Sequence, residues 1–212
     1  RSCSASRISG RSEMSKATLQ RRPLVKNMLD GADDNLLVIA GLGSANWDIT
    51  AAGDRPLNMP LWGAMGGTVP MGLGLALAQP TKRVLVITGD GEMLMGIGAL
   101  ATIAVQKPAN LSIVVQDNEH YGETGMQETA TRHGVDLVMM AKGAGIANTM
   151  FVTKPDEVPA LHKAIHAGQG PFFAVAKIDA TSKPLVLPPR EGALLQARMR
   201  EAVMGPAAHH QL

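Results

Sequence analysis

The chain has 212 residues, 45% hydrophobic and 18% charged, with a formal net charge of +2. That is enough apolar material for one α/β domain with a sizeable core. The single cysteine, Cys3, excludes an internal disulfide framework or a cysteine metal cluster, and suits a reducing, cytoplasmic setting. No apolar run approaches the roughly 18 residues of a membrane span. Residues 1–26 hold seven basic residues against Glu13 alone, so the rest of the chain is net acidic. Neither a membrane protein nor a nucleic-acid binder is expected.

The basic, Ser-rich start has no periodicity, and residues 1–22 are expected to be disordered. It reads as a transit-like segment or a misplaced start, with Met14 a natural first residue. A short helix is predicted over 23–29 and a buried strand over 36–40 (LLVIA). The strand feeds Gly41-Leu42-Gly43-Ser44, a tight turn before a helix over about 45–50. Such a turn turns backbone N–H groups toward a phosphate. A nicotinamide-binding Rossmann site is the competing reading. It fails on Asn46 in place of the third glycine and on the lack of an acid-ended strand about 20 residues on.

An extended piece over 58–61 leads to Trp62-Gly63-Ala64-Met65-Gly66-Gly67 and an apolar, Gly-rich helix to about residue 78. The β-branched run 84–88 predicts a second buried strand, ending at Gly89-Asp90-Gly91-Glu92. A helix over about 93–106 and a strand over 111–115 follow. The latter runs into Asp117-Asn118-Glu119-His120-Tyr121-Gly122-Glu123. Asp90 and Asn118 therefore stand just past the carboxyl ends of buried strands, the edge where open α/β sheets bind ligands. Asp90 offers a charged oxygen, Asn118 a neutral one, and the turn beyond offers carbonyls. Such hard oxygen ligands suit Mg²⁺ or Ca²⁺, and Mg²⁺ commonly shares its site with phosphates.

Further helices are predicted over 135–146, 155–167 and 191–204, and strands over 148–153 and 172–178. The alternation argues for α/β, a doubly wound, mostly parallel sheet with helices on both faces. One domain is expected over 23–190, with a C-terminal helix and tail over 191–212. His162 and His166 share a helix face but lack the Glu of a zinc-binding helix, and read as a solvated or core face. The side chains of His120 and His133 are read as structural rather than acid–base groups.

A GDG followed by an Asn pair at this distance resembles the signature of thiamine-diphosphate enzymes. Here Asp117 replaces the first Asn, and Asn118 keeps the metal-binding second position. The resemblance implies Mg²⁺ held by Asp90, Asn118 and the backbone carbonyl of His120. It implies diphosphate contacts from Gly43, Ser44, Gly89, Gly91 and Glu92, and a loop of Tyr121, Gly122 and Glu123 along the diphosphate. The string WGAMG resembles the segment that clamps the cofactor in decarboxylases of this class. There the Gly63 position accepts a bond from the aminopyrimidine and the Met65 position wedges between the two rings. No catalytic residue is assigned with certainty in this chain.

The string DNEHYGETGMQ and the short length resemble the β subunit of sulfopyruvate and phosphonopyruvate decarboxylases. In that family the pyrimidine-binding domain and its catalytic glutamate come from elsewhere. A separate α subunit is therefore implied, in an α₂β₂ or larger hetero-oligomer acting on a small 2-oxo acid. A subunit of another split enzyme of the class, a carboligase or an oxidoreductase, and a non-catalytic subunit remain as alternatives.

Overall fold

The computed structural model describes residues 19–209. Six strands form one wholly parallel sheet: β1 (Leu36–Ala40), β2 (Asn58–Pro60), β3 (Arg83–Gly89), β4 (Leu111–Asp117), β7 (Asn148–Val152) and β8 (Phe172–Lys177). Their order is β2-β1-β3-β4-β8-β7. β1, β4 and β8 are buried along their whole length, which explains their unbroken apolar runs: both faces of a parallel sheet are covered.

On one face lie α3 (Thr68–Ala78), α4 (Asp90–Met95), α5 (Ala99–Gln106), α6 (Leu137–Ala144) and α8 (Gly192–Met204). They pack through Leu73, Met93, Ile103, Ala141 and Met199 on Val86, Ile113 and Val175. On the other face lie α1 (Arg21–Leu29), α2 (Ser44–Ala52) and α7 (Val158–Ala167). These pack through Val25, Ile49 and Leu161 on Val38, Ile87 and Val114. β1 sends its chain to α2 on this second face, whereas its neighbour β3 sends its chain to α4 on the first. The chain thus divides at the β1/β3 boundary, the kind of crevice where doubly wound sheets bind ligands.

The structure corrects the sequence reading in three places. Leu19 to Arg22, expected within the disordered start, are packed: Leu19 is buried and bridges to Ile178, and Arg21 is buried against Asp48. The earlier residues of that segment lie outside the described ones. The helix expected over 93–106 is two helices, because α4 starts on Asp90 and stops at Gly96. A side chain at Gly96 would overlap the Gly66 carbonyl, so the break lets the WGAMGG loop lie against the backbone there. Finally, β5 (His120–Tyr121) pairs antiparallel with β6 (Gln127–Glu128), a ribbon too short to show as periodicity.

The extended exit after β8 turns back across the carboxyl edge. Asp179 N–H donates to Leu19 O at 2.9 Å, Arg22 donates to Pro184 O, and Trp62 Nε1 donates to Pro189 O at 2.9 Å. α8 then docks beside β2, its Arg198 forked onto the Asp54 carboxylate at 2.6 and 2.8 Å.

Candidate functional site

The carboxyl edge of the sheet opens into a cavity of about 710 Å³. Its walls come from the end of β3, the loop after β4, the start of α2 and the exit segment Asp179 to Lys183. β3 passes into α4 without a linker, so Asp90 is both the first residue beyond the strand and the first of the helix.

Asp90 is almost wholly buried, and the hydroxyls of Thr129 and Thr131 both donate to its Oδ2, the latter at 2.9 Å. Burial pushes its pKa up to about 6. The Thr129 hydrogen bond opposes that shift, and the charge of nearby Asp117 reinforces it. Thr131 Oγ1 also lies 2.9 Å from Asp117 Oδ1, so its single proton is shared between the two carboxylates.

Asp117 is the last residue of β4, and Asn118 begins the turn beyond it. Asn118 Oδ1 accepts the His120 N–H at 3.0 Å, and the His120 ring Nδ1 lies 2.8 Å from the Asn118 carbonyl. The Thr129 N–H donates to Glu119 O. By the alternation of antiparallel ladders, His120 and Glu128 are then a non-hydrogen-bonded pair, and the His120 carbonyl points away from the ribbon. The His120 side chain is engaged by its own turn, and His133 is mostly exposed beside Glu128.

Ser44, Met65, Gly89, Asp90, Gly91, Glu92, Asn118, His120, Tyr121, Gly122 and Glu123 all line the cavity; Gly43 and Gly63 do not. The Glu92 carboxylate turns into the protein, held by the hydroxyls of Thr68 and Thr88, and a side chain at Gly41 would overlap it. Gly91 lies under the Tyr121 ring so closely that a Cβ would overlap it. Glu123 lies against Gly43, 3.0 Å from where a Cβ there would stand. Burial raises its pKa against the pull of the Arg21 guanidinium. Met65 reaches the cavity from a loop strained enough to hold Ala64 at φ 58°.

Sequence reasoning missed Arg21, Gln116, Thr129, Thr131, Lys177 and the exit segment. Arg21 donates to Asp48 Oδ1 at 2.6 Å and to the Ser44 carbonyl, clamping the start of α2. Lys177 ends β8 beside Asp117 and reaches both Asp117 and Glu119, at 3.0 and 2.5 Å. Burial resists ionisation of Glu119, but Lys177 and Arg132 outweigh it and hold its pKa below the ordinary value. A lysine closing an otherwise apolar strand (FFAVAK) and a glutamine after the apolar run of β4 (LSIVVQD) were the available signals.

A doubly wound sheet with a cavity at its carboxyl edge, lined by carboxylates, amides and hydroxyls among apolar side chains, defines a nucleotide- or cofactor-type α/β domain. Residues 43–176 match the family described as thiamine pyrophosphate enzyme, C-terminal TPP binding domain, and the chain belongs to that family. It is 38% identical over 146 residues to the sulfopyruvate decarboxylase subunit beta of Methanothermobacter thermautotrophicus, covering 69% of this chain and 75% of that one. It is 40% identical over 125 residues to the sulfopyruvate decarboxylase of Methanosarcina acetivorans, covering 59% of this chain but only 32% of that longer protein. The fold is shared with benzoylformate decarboxylase from Polynucleobacter necessarius, at a TM-score of 0.69 and 20% identity over 83% of this chain and 36% of that one. Among the described residues, no group of three or more His, Cys, Asp or Glu side chains is placed to hold a metal ion. No described helix is long and apolar enough to cross a membrane.

Proposed function

We propose that this chain is the β subunit of a split 2-oxo acid decarboxylase that uses thiamine diphosphate and Mg²⁺. The observation that carries the reading is the placement of Asp90 and Asn118 on one cavity, at the carboxyl ends of adjacent strands.

The cavity fits the group. Gly89 leaves its part of the floor open, since a Cβ there would meet nothing within 4 Å, while Gly91 lets the Tyr121 ring close over the first turn of α4. Thr129 and Thr131 occupy Oδ2 of Asp90, leaving Oδ1 outside that pair for a cation. Asn118 Oδ1 and the His120 carbonyl complete a set of one charged and two neutral oxygens, the hard donors Mg²⁺ prefers when phosphates supply the rest. One carboxylate suffices in such a set, so a cluster of acids is not required.

When bound, thiamine diphosphate supplies the electron sink that lets a 2-oxo acid lose CO₂. The residues of this chain bind and orient. Asp90 and Asn118 would hold the metal, the Gly91 backbone and Tyr121 would border the diphosphate, and Met65, on the loop pinned at Gly66 and Gly96, would support the rings. The glutamate that activates the aminopyrimidine comes from an α partner. Met71, Leu77, Met95 and Val105 are exposed on α3, α4 and α5, and this apolar surface, which reaches the cavity at Met95, suits such a partner. The related sulfopyruvate enzymes support a 2-oxo acid with an anionic tail as substrate.

The test is a thermal shift of the chain with thiamine diphosphate and Mg²⁺, alone and with a candidate α subunit, followed by CO₂ release from sulfopyruvate and phosphonopyruvate. A shift in the mixture that is lost in Asp90→Ala supports the reading. No shift with a partner shown to bind overturns it. Full turnover without a partner overturns the division of the site between two chains.

A further inference from the structure

Gln116 is the penultimate residue of β4, two before Asn118, and it is 2% exposed. Its side chain lines the cavity, yet neither Oε1 nor Nε2 has a hydrogen-bond partner. Buried amides are rarely left so, and each such group calls for an explanation.

Its surroundings give one. In the sheet, Gln116 stands between Gly89 of β3 and Ala176 of β8. A Cβ at Gly89 would meet nothing within 4 Å, so no side chain covers the neighbouring strand beside Gln116, and a rotation of its side chain can turn the buried amide toward that space. Strand alternation puts Gln116 on the same face as Val114, which packs with Val25 of α1 and with Ala45 and Ile49 of α2. Gln116 therefore shares the cavity with Ser44 at the start of α2 and with Arg21. That helix start has only Gly43 as its cap residue and no side-chain cap. A donor-rich corner is thus built from the helix N-terminus, a guanidinium and an amide whose hydrogen-bonding atoms are free.

We infer that the Gln116 side-chain amide donates to a phosphate oxygen of the cofactor's diphosphate, from the side of the sheet opposite α4. This rests on the function proposed above. It adds a positioning residue that lies outside the GDG and Asn motifs, and it explains why a glutamine without a hydrogen-bond partner follows the apolar run 113–115 of β4.

The test separates phosphate contact from general damage to the pocket. The full chain, assembled with its α subunit, is titrated calorimetrically with thiamine diphosphate and with inorganic pyrophosphate, both with saturating Mg²⁺. Gln116→Leu is expected to weaken both ligands in parallel, by about tenfold or more, as for a lost bond to a charged group. Gln116→Glu, which places a carboxylate against the phosphates, is expected to weaken both further. Without ligand, Gln116→Leu should melt no lower than wild type, because it buries no unpaired amide. Unchanged binding in Gln116→Leu overturns the inference. So does weaker cofactor binding with unaltered pyrophosphate binding, which would place the amide on the ring end. If wild type binds neither ligand, the function proposed above falls, and this contact with it.

Discussion

The ammonium of Lys177 stands 3.0 Å from Oδ2 of Asp117, its register neighbour across the β4–β8 ladder. Both side chains are only 6% exposed. This pair accounts for the departure at position 117, where the family pattern leads one to expect Asn. Asp117 is a structural anion that ties the base of the Asn118 turn to β8, and Glu119 completes the charge balance around the lysine.

Removing one partner leaves a buried charge without compensation. Lys177→Met is therefore expected to cost about 3–5 kcal/mol in urea unfolding. Asp117→Asn should cost less, because Glu119 still pairs the lysine. The double variant should recover much of the loss. A Lys177→Met variant as stable as wild type would show that the pair is not a determinant of the fold.

Gly91 and Gly96 face different neighbours. A Cβ at Gly96 meets backbone, the carbonyl of Gly66, whereas a Cβ at Gly91 meets the Tyr121 ring, which can rotate away. Gly96→Ala should thus destabilise by about 1–3 kcal/mol. Gly91→Ala should cost less in stability but more in cofactor affinity, since Tyr121 would be displaced into the cavity. Comparing urea midpoints with thiamine diphosphate titrations of the two variants checks the split.

The parallel core was legible because strands buried on both faces must be apolar throughout, so LLVIA, RVLVITG and FFAVAK announce themselves. The positions of Asp90 and Asn118 were legible for a related reason, since each follows such a run directly. The rest of the cavity was not. Arg21, Gln116 and Asp179 meet only after the sheet places β4 between β3 and β8 and the exit segment folds back over the edge. Nothing local in their sequence marks that meeting. The split of α4 from α5 was hidden too, because apolar periodicity continues through Gly96 to Gly98, and only the approach of Gly66 ends the first helix there.

At the opposite end of the sheet, His166 is held between Arg83 and the Met28 carbonyl and stacks on His162 at 4.2 Å. Burial lowers its pKa, and the charges of His162 and Arg83 push the same way; the Met28 carbonyl and Asp33 oppose them. The unfolded chain thus holds a proton on this ring at pH values where the native protein does not. Stability should rise with pH from the depressed native pKa up to about 6.5, the ordinary histidine value, and fall on acidification through that window. His166→Gln should show a flatter melting temperature between pH 7 and pH 5. An equal fall in both proteins would place the acid sensitivity elsewhere.

Asp90 carries the opposite linkage. Its native pKa, near 6, lies above that of an unfolded aspartate, so the folded protein prefers the protonated form. That preference stabilises the protein at low pH and is lost as pH rises through about 6, where the carboxylate must stay charged in a buried site. Asn in its place can accept both threonine hydroxyls through its amide oxygen without the charge. Free of cofactor, Asp90→Asn should therefore melt above wild type at pH 8, and the gap should close as pH falls toward 5. With thiamine diphosphate and Mg²⁺ present the order at pH 8 should invert, because only the carboxylate offers the cation a charged ligand and ligand binding adds to the stability of wild type. A native site that keeps an unfavourable charge is what a cation site predicts. An Asp90→Asn variant that is less stable than wild type in both conditions would mean that the carboxylate serves the fold rather than the metal.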